Sequence, residues 1–232
     1  VIERLQELAE AGIENYSADV EFWLLFDDYE IDCDEKKDII TRIFSESKVG
    51  VIYGSAGVGK STLINHVSHY LKDEAKLYLT QTNPAKENLM RKIDAENTTF
   101  STIESFKRQG FSTEYKLLVI DECSTVSNKD MVEVLQKAKF EMLLLVGDTY
   151  QIDAIQFGNW FSVLKSFLPE SAVFELTQPH RTKDERLLEL WDKVRQMDDT
   201  AKEVIERESY SLKVDETLLS SLDPGEAILC LN

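Results

Sequence analysis

Eight consecutive residues form the most chemically specific pattern in this chain: Gly54-Ser55-Ala56-Gly57-Val58-Gly59-Lys60-Ser61. They match G-x-x-x-x-G-K-[ST], a glycine-rich loop between an apolar strand and a helix. Glycines let backbone amides surround phosphate oxygens, and the helix N-terminus adds positive potential. The loop therefore predicts a nucleoside triphosphate site in which Lys60 reaches the β- and γ-phosphates and Ser61 binds Mg²⁺. The predicted nucleotide-binding residues are Gly54, Ser55, Ala56, Gly57, Val58, Gly59, Lys60, Ser61 and Thr62.

Two adjacent carboxylates, Asp121 and Glu122, follow the apolar segment 117–120. We expect this strand to neighbour the strand before the glycine-rich loop, which places both acids beside the phosphates. Asp121 is then predicted to hold Mg²⁺ through water. Glu122 is predicted to orient and deprotonate the attacking water, the role of a general base in phosphoryl transfer.

Two further polar groups follow later apolar segments. Residues 147–151 read G-D-x-x-Q, and the uncharged amide of Gln151 is suited to sensing the γ-phosphate. Arg181 lies in Gln-Pro-His-Arg-Thr at 178–182, where its charge is suited to the transition state of phosphoryl transfer. An ordinary turn at 147–148 and a solvated surface arginine are the structural alternatives.

The elements that must position these groups alternate between short apolar runs and amphipathic stretches. Such alternation predicts an α/β fold, a parallel sheet sandwiched by helices. The predicted strands are 49–53, 77–80, 117–121, 142–147 and 173–176. The predicted helices are 2–13, 18–27, 34–44, 60–71, 85–93, 129–138, 160–167 and 185–195.

Charge is distributed unevenly along the 232 residues, whose net charge is −17. Residues 1–47 carry 14 acids and 4 bases, whereas residues 48–150 carry 13 of each. An acidic chain disfavours tight non-specific binding to a polyanion, so a nucleic acid meets least repulsion in the neutral middle part. The three cysteines are widely spaced, and no apolar run is long enough to span a bilayer, so we expect a reduced cytoplasmic protein without membrane contact.

Three parts are expected from these shifts in composition. Residues 1–47 form an acidic helical segment, residues 48–197 the P-loop domain, and residues 198–232 an acidic connector with the first strand of a second domain. The chain starts with Val1, and its last residues resemble the start of a strand. We therefore expect a piece of a longer protein.

The order of the four ATP-site motifs resembles that of superfamily 1 helicases, especially their RecD-like branch and the related AAA-type ATPases. This resemblance spans about residues 31–195 and implies a RecA-like domain that hydrolyses ATP with Mg²⁺. It implies 5′→3′ movement on single-stranded DNA, and a second RecA-like domain of the same chain as the other wall of the cleft. The ATP-site residues implied are Lys60, Ser61, Asp121, Glu122, Gln151 and Arg181.

The resemblance also implies a nucleic-acid contact at Thr82, Asn83 and Thr102. These residues lie in segments similar to the P-T-N/G-x-A and T-I-H-S-F motifs of the family. This chain has Gln81 in place of the proline and Glu104 in place of the histidine. The structural alternative is that Thr82, Asn83 and Thr102 serve only as loop and cap residues.

Residues 31–39 fall where helicases read adenine with a glutamine, and Glu35 occupies the glutamine position. A carboxylate accepts from adenine N6 but cannot donate to N7, because it has no proton to give. Glu35 is therefore a predicted base-contacting residue with reduced preference for adenine over guanine.

Three functions fit these observations. The first is the motor domain of a DNA helicase or translocase in repair, recombination or defence. The second is a helicase-derived ATPase switch that regulates a protein partner and binds little nucleic acid. The third is an RNA helicase.

Overall fold

The structure is a computed structural model that describes residues 1–27, 29–109, 113–148, 159–178, 184–195 and 198–208. The helices there are α1 (Ile2–Leu8), α2 (Tyr16–Phe26), α3 (Asp34–Arg42), α4 (Lys60–Tyr70), α5 (Asn83–Met90), α6 (Ile103–Arg108), α7 (Asn128–Lys137), α8 (Trp160–Val163), α9 (Glu185–Arg195) and α10 (Ala201–Arg207). The strands are β1 (Val49–Gly54), β2 (Lys76–Thr80), β3 (Thr98–Thr102), β4 (Glu114–Ile120), β5 (Lys139–Gly147) and β6 (Val173–Leu176).

The six strands form one sheet in the order β3-β2-β4-β5-β1-β6. Every pairing is parallel; Val51 of β1, for example, pairs with Leu145 of β5 on one side and Val173 of β6 on the other. The central strands are apolar and buried on both faces, as a parallel sheet between helices requires. The predicted α/β fold class, with a RecA-like parallel sheet, is confirmed.

Two hydrophobic cores separate the sheet from its helices. Residues of α1, α6, α7 and α8 pack on one face, including Leu5, Phe106 and Val134. Residues of α2 to α5 pack on the other face, including Val20 and Ile40. The acidic N-terminal helices α1 to α3 thus contribute to the same cores as the sheet.

The neighbours of β4 differ from the sequence-based expectation. We expected the strand that ends at Asp121 to lie beside β1, but β5 is inserted between them. The order of strands in a sheet depends on crossover connections, which local sequence patterns do not encode. Asp121 therefore approaches the glycine-rich loop across β5, whose own end, Gly147-Asp148, lies between them.

The boundaries of several elements also differ. Strand β3 and helix α6 were not predicted, because the segment Thr98–Thr102 is polar and only its last two residues are buried. Helix α5 begins at Asn83, two residues earlier than expected, because the Thr82 side chain accepts a hydrogen bond from Ala85 N and caps the helix. The expected helix 160–167 is divided into α8 and a 3-10 turn, Leu164–Ser166.

The chain divides into two compact units, Val1–Arg181 and Thr182–Asn232. The described part of the second unit consists of α9 and α10, which are joined by the ion pairs Arg186–Glu208 and Arg207–Glu189. The expected boundary at residues 197–198 stays a prediction. Within the described residues, no helix combines the length and the apolar character needed to cross a membrane.

An ion pair between a buried lysine and a partly exposed aspartate attaches α3 to the preceding loop. The Lys36 side chain is fully buried, and its ammonium donates to Asp32 Oδ2. His66 Nε2 of α4 lies 2.8 Å from the other oxygen, Asp32 Oδ1. Burial raises the pKa of Asp32, but the hydrogen bonds from Lys36 and His66 outweigh it and hold the pKa below its ordinary value.

Asp32→Ala should lower the free energy of unfolding by about 2–4 kcal/mol, because it leaves the buried Lys36 ammonium without its counter-charge. The contribution of the Asp32 carboxylate is present above its ordinary pKa of 3.8 and is lost as the pH falls below it. Urea unfolding at pH 7 and pH 3 measures both effects. Asp38→Ala, which breaks the exposed pair with Arg42 in the same helix, is the control and should cost less than about 1 kcal/mol. Equal losses in the two variants would contradict the role of the pair with the buried lysine.

Candidate active site

The glycine-rich loop joins the end of β1, which lies between β5 and β6, to the start of α4. Gly57 and Gly59 have positive φ angles of 90° and 86°, a conformation that side chains with a Cβ rarely adopt. Gly59 is also the N-cap of α4, so the first turn of the helix faces the loop. The backbone therefore takes the shape that surrounds phosphate oxygens, with free helix amides at its end.

Lys60 is the first residue of α4, and its side chain folds back under the loop. Its Nζ donates to Gly54 O at 2.6 Å and to Ser55 O at 2.9 Å. Burial lowers the pKa of Lys60, and the carboxylates of Asp148, Asp121 and Glu122 act in the opposite direction. The ammonium is thus held among carbonyls and acids at the predicted β/γ-phosphate position.

The two predicted acids lie where β4 ends, on the same edge of the sheet. Asp121 Oδ1 accepts a hydrogen bond from Glu122 N at 2.9 Å. Burial is the main cause that raises the pKa of Asp121, to about 6, and the Glu122 charge adds to it. A cation bound nearby would lower the pKa of Asp121 again, because it stabilises the ionised carboxylate.

Glu122 has an unusual backbone conformation, with a φ of 57° in the left-handed region. Its carbonyl accepts hydrogen bonds from Thr125 N at 2.9 Å and from Thr125 Oγ1 at 2.8 Å, which fix this conformation. Strained backbone in a non-glycine residue is concentrated at functional sites, where it positions a side chain. The Glu122 side chain lines the cleft described next.

These groups surround a cleft of about 500 Å³. Ser61 and Asp121 supply hydroxyl and carboxylate oxygens, the ligand types that Mg²⁺ prefers, and the loop supplies amides for phosphates. The residues present therefore fit a magnesium–nucleotide complex, with Ser61 and Asp121 as the metal-binding side chains. The cleft is lined by Ala56, Gly57, Gly59, Lys60, Ser61, Thr62, Asn88, Lys92, Asp121, Glu122, Gly147 and Asp148.

Four of these lining residues were not predicted: Asn88, Lys92, Gly147 and Asp148. Asp148 directly follows β5 and is 5% exposed. The inserted position of β5 brings it beside Lys60, and the G-D-x-x-Q motif was the available signal. Asn88 and Lys92 come from α5 and the turn after it, and only the fold brings them to the cleft.

Two predicted ATP-site residues, Gln151 and Arg181, lie outside the described residues. Glu35 does not line the cleft; its Oε1 accepts from Thr177 N at 3.0 Å and from Thr177 Oγ1 at 2.7 Å. The carboxylate of Glu35 thus binds the segment after β6, and its contact with a base stays a prediction.

The predicted nucleic-acid residues lie at the carboxyl ends of β2 and β3. Thr82 caps α5, and Thr102 caps α6 by accepting from Ser105 N at 3.2 Å. Both threonine side chains therefore have the capping role of the structural alternative, and Thr102 is buried. Thr82 and Asn83 are exposed, so they remain accessible to a nucleic-acid strand that runs along this edge of the sheet.

The negative charge of Glu104, the acid in place of histidine, is balanced by neighbouring basic side chains. Hydrogen bonding to Arg108 is the main cause that holds the pKa of Glu104 below its usual value, with Lys107 adding to it. Glu104 Oε1 lies 2.9 Å from Arg108 Nη2, and Oε2 lies 3.5 Å from Lys107 Nζ. The exposed face of α6 is thus less repulsive to a polyanion than its sequence indicates.

Fold and site together define a RecA-like P-loop ATPase domain. The AAA domain family matches residues 34–213, most of the chain, and the chain belongs to that family. No curated protein matches the sequence.

Solved helicase structures share this fold. The Pif1 helicase from Candida albicans is 22% identical with a TM-score of 0.55, over 81% of this chain and 50% of that one. A Bacteroides Pif1 helicase in complex with ADP-AlF3 and single-stranded DNA is 17% identical with a TM-score of 0.54. The match covers 75% of this chain and 48% of that one. The UvsW helicase from bacteriophage T4 is 12% identical with a TM-score of 0.54, over 72% of this chain and 70% of that one. This chain spans about half the length of the Pif1 structures.

Substitutions of Lys60 and Glu122 should separate binding from hydrolysis. Lys60→Ala removes the cation held beneath the loop and should abolish nucleotide binding. Glu122→Gln keeps the side-chain shape but loses the base, so it should bind ATP normally and hydrolyse it at least about 100-fold more slowly. Calorimetric titration and steady-state phosphate release measure the two properties. Wild-type hydrolysis by Glu122→Gln would show that another group activates the water.

The position of Glu35 leads to a test of base selectivity. Glutamine at this position still accepts from Thr177 through its Oε1, and it gains an amide donor. If residue 35 also faces the base, wild type should prefer ATP over GTP by less than about tenfold. Glu35→Gln should then raise the preference by about 0.5–1.5 kcal/mol, one hydrogen bond. Competitive binding of ATP and GTP checks this, and a preference that does not change limits Glu35 to the Thr177 contact.

Proposed function

We propose that this chain is the ATP-hydrolysing motor domain of a RecD-like superfamily 1 DNA helicase or translocase. It moves 5′→3′ on single-stranded DNA in repair, recombination or defence. The observation that carries the proposal is the shared edge of the sheet. The nucleotide cleft and the exposed Thr82-Asn83 segment both lie at carboxyl ends of parallel strands, where ligands of α/β folds bind.

The chemistry at the cleft is hydrolysis of the bond between the β- and γ-phosphates. Glu122 accepts a proton from water as the water oxygen attacks the γ-phosphorus, and ADP leaves with the bridging oxygen. Lys60 releases its two carbonyl contacts and binds the β- and γ-phosphates. Mg²⁺, when bound, neutralises charge on the same phosphates. Arg181 is proposed to stabilise the negative charge that develops on the γ-phosphate in the transition state.

Helix α5 provides a physical connection between hydrolysis and the nucleic-acid edge. Its first residue, Asn83, lies at the end of β2, whereas Asn88 and the following Lys92 line the nucleotide cleft. A change in the contacts of this cleft is therefore transmitted along one short rigid element. A second RecA-like domain of the same chain is the proposed opposite wall, and movement between the two walls drives translocation.

The second candidate is an ATPase switch that acts on a protein partner. Two observations favour it: the hydroxyls of Thr82 and Thr102 are used as helix caps, and the net charge is −17. The switch keeps the nucleotide chemistry described above and loses stimulation by nucleic acid. The cytoplasm is the proposed location for either function.

The rate of ATP hydrolysis by the full chain should increase with single-stranded DNA and much less with RNA. Translocation direction follows from displacement of streptavidin from the 5′ or the 3′ end of a biotinylated oligonucleotide, and we expect displacement at the 3′ end. Asn83→Ala should weaken DNA binding by about 1 kcal/mol, the scale of one hydrogen bond, without changing basal hydrolysis. Gln136→Ala is the control, because it removes an exposed amide just before β5, at the opposite edge of the sheet, and should leave DNA binding unchanged. Hydrolysis that no nucleic acid stimulates would favour the switch.

A further inference from the structure

A second lysine reaches the nucleotide cleft from α5. Lys92 follows the C-terminus of that helix and lines the cleft together with Asn88. Its Nζ lies 3.4 Å from the hydroxyl oxygen of Ser61, the predicted metal-binding side chain. No phosphate-loop pattern includes this residue, because it is 31 positions away in the sequence.

The main chain around Lys92 is held firmly against α4, the helix that begins with Lys60 and Ser61. The adjacent Ile93 is buried in the core. Asp94, the next residue, accepts a hydrogen bond from Asn65 Nδ2 at 2.8 Å, and its amide donates to Asn65 Oδ1 at 3.2 Å. His69 Nε2 lies 2.6 Å from the same Asp94 carboxylate. This clamp to the middle of α4 fixes where the Lys92 side chain starts, and the side chain extends from there to Ser61 in the first turn.

The charge of the cleft gives Lys92 a clear role. Among the described lining residues, Asp121, Glu122 and Asp148 carry negative charge. Lys60 and Lys92 are the two cations among them, so without Lys92 one lysine faces three carboxylates. A polyphosphate tail adds further negative charge to this site, and each cation beside it lowers the electrostatic cost of binding.

The side from which Lys92 approaches defines the phosphate that it contacts. Lys60 folds beneath the loop toward Gly54 and Ser55. Lys92 instead lies at Ser61 and on the side of Asp121, whose pKa its positive charge lowers. That side holds the predicted metal and the attacking water, and therefore the terminal phosphate. We propose that Lys92 is a second cation of this site that contacts the γ-phosphate and makes the site prefer a nucleoside triphosphate over a diphosphate. The proposal rests on the ATP site proposed above.

Equilibrium binding tests the role of Lys92 independently of hydrolysis. The full chain is titrated calorimetrically with the ATP analogue AMP-PNP and with ADP, each with Mg²⁺. Lys92→Met should weaken AMP-PNP binding about tenfold, the scale of one charge-assisted contact, and ADP binding by less than about twofold. Lys92→Arg, which keeps the charge, should retain most of the preference for AMP-PNP.

Arg91→Met is the matched control, because it removes one positive charge at the adjacent residue, which does not line the cleft. It should leave the affinities for both nucleotides unchanged within about twofold, since an exposed charge farther from the ligand is screened by salt. The proposal is overturned if Lys92→Met changes the two nucleotide affinities no more than Arg91→Met does. It is also overturned if Lys92→Met weakens AMP-PNP and ADP binding equally. Wild-type protein that binds neither nucleotide refutes the ATP site itself, and the role of Lys92 with it.

Discussion

All six strands run in the same direction, and the rest of the structure depends on this constraint. Parallel strands place all their carboxyl ends along one edge, so loops that are far apart in sequence meet there. The glycine-rich loop after β1, the acids after β4 and Asp148 after β5 share that edge. The same geometry places the end of β2, with Thr82 and Asn83, a short distance along the sheet from the nucleotide cleft.

Much of the fold and part of the site could be predicted from sequence because they depend on local patterns. Apolar runs identified five of the six strands, and the P-loop pattern identified Lys60 and Ser61 directly. Strand β3 was missed because it is polar and lies at the edge of the sheet that the described residues form, beside β2. Its sequence, Thr-Thr-Phe-Ser-Thr, has neither a continuous apolar run nor an alternation of apolar and polar residues.

The order of strands could not be predicted in the same way. The insertion of β5 between β1 and β4 is a property of the crossovers, and it explains why Asp148 reaches Lys60. Lys92 was missed for a related reason: its position depends on the clamp between Asp94 and Asn65, which holds the turn after α5 against α4. For Glu35, alignment to a family pattern suggested a contact with the base. It did not reveal the hydrogen bonds that Glu35 accepts from Thr177.

Electrostatics connects these observations. The chain is strongly acidic, yet its nucleotide cleft brings two lysines, free helix amides and a buried carboxylate close together. Burial lowers the pKa of Lys60 and raises that of Asp121, so both charged forms are disfavoured by their surroundings. A triphosphate with its metal offers each of them an opposite charge, and so the protein's own groups favour that ligand.

The most direct test of this account is a crystal structure of the chain with Mg²⁺ and AMP-PNP. We expect the analogue in the cleft between the glycine-rich loop and the end of β4, with Lys60 Nζ moved from Gly54 O and Ser55 O to the β- and γ-phosphates. Ser61 and Asp121 should lie at the metal. A nucleotide bound elsewhere, or Lys60 still bonded to both carbonyls beside a bound nucleotide, would contradict the central claim that this loop is a functional phosphate site.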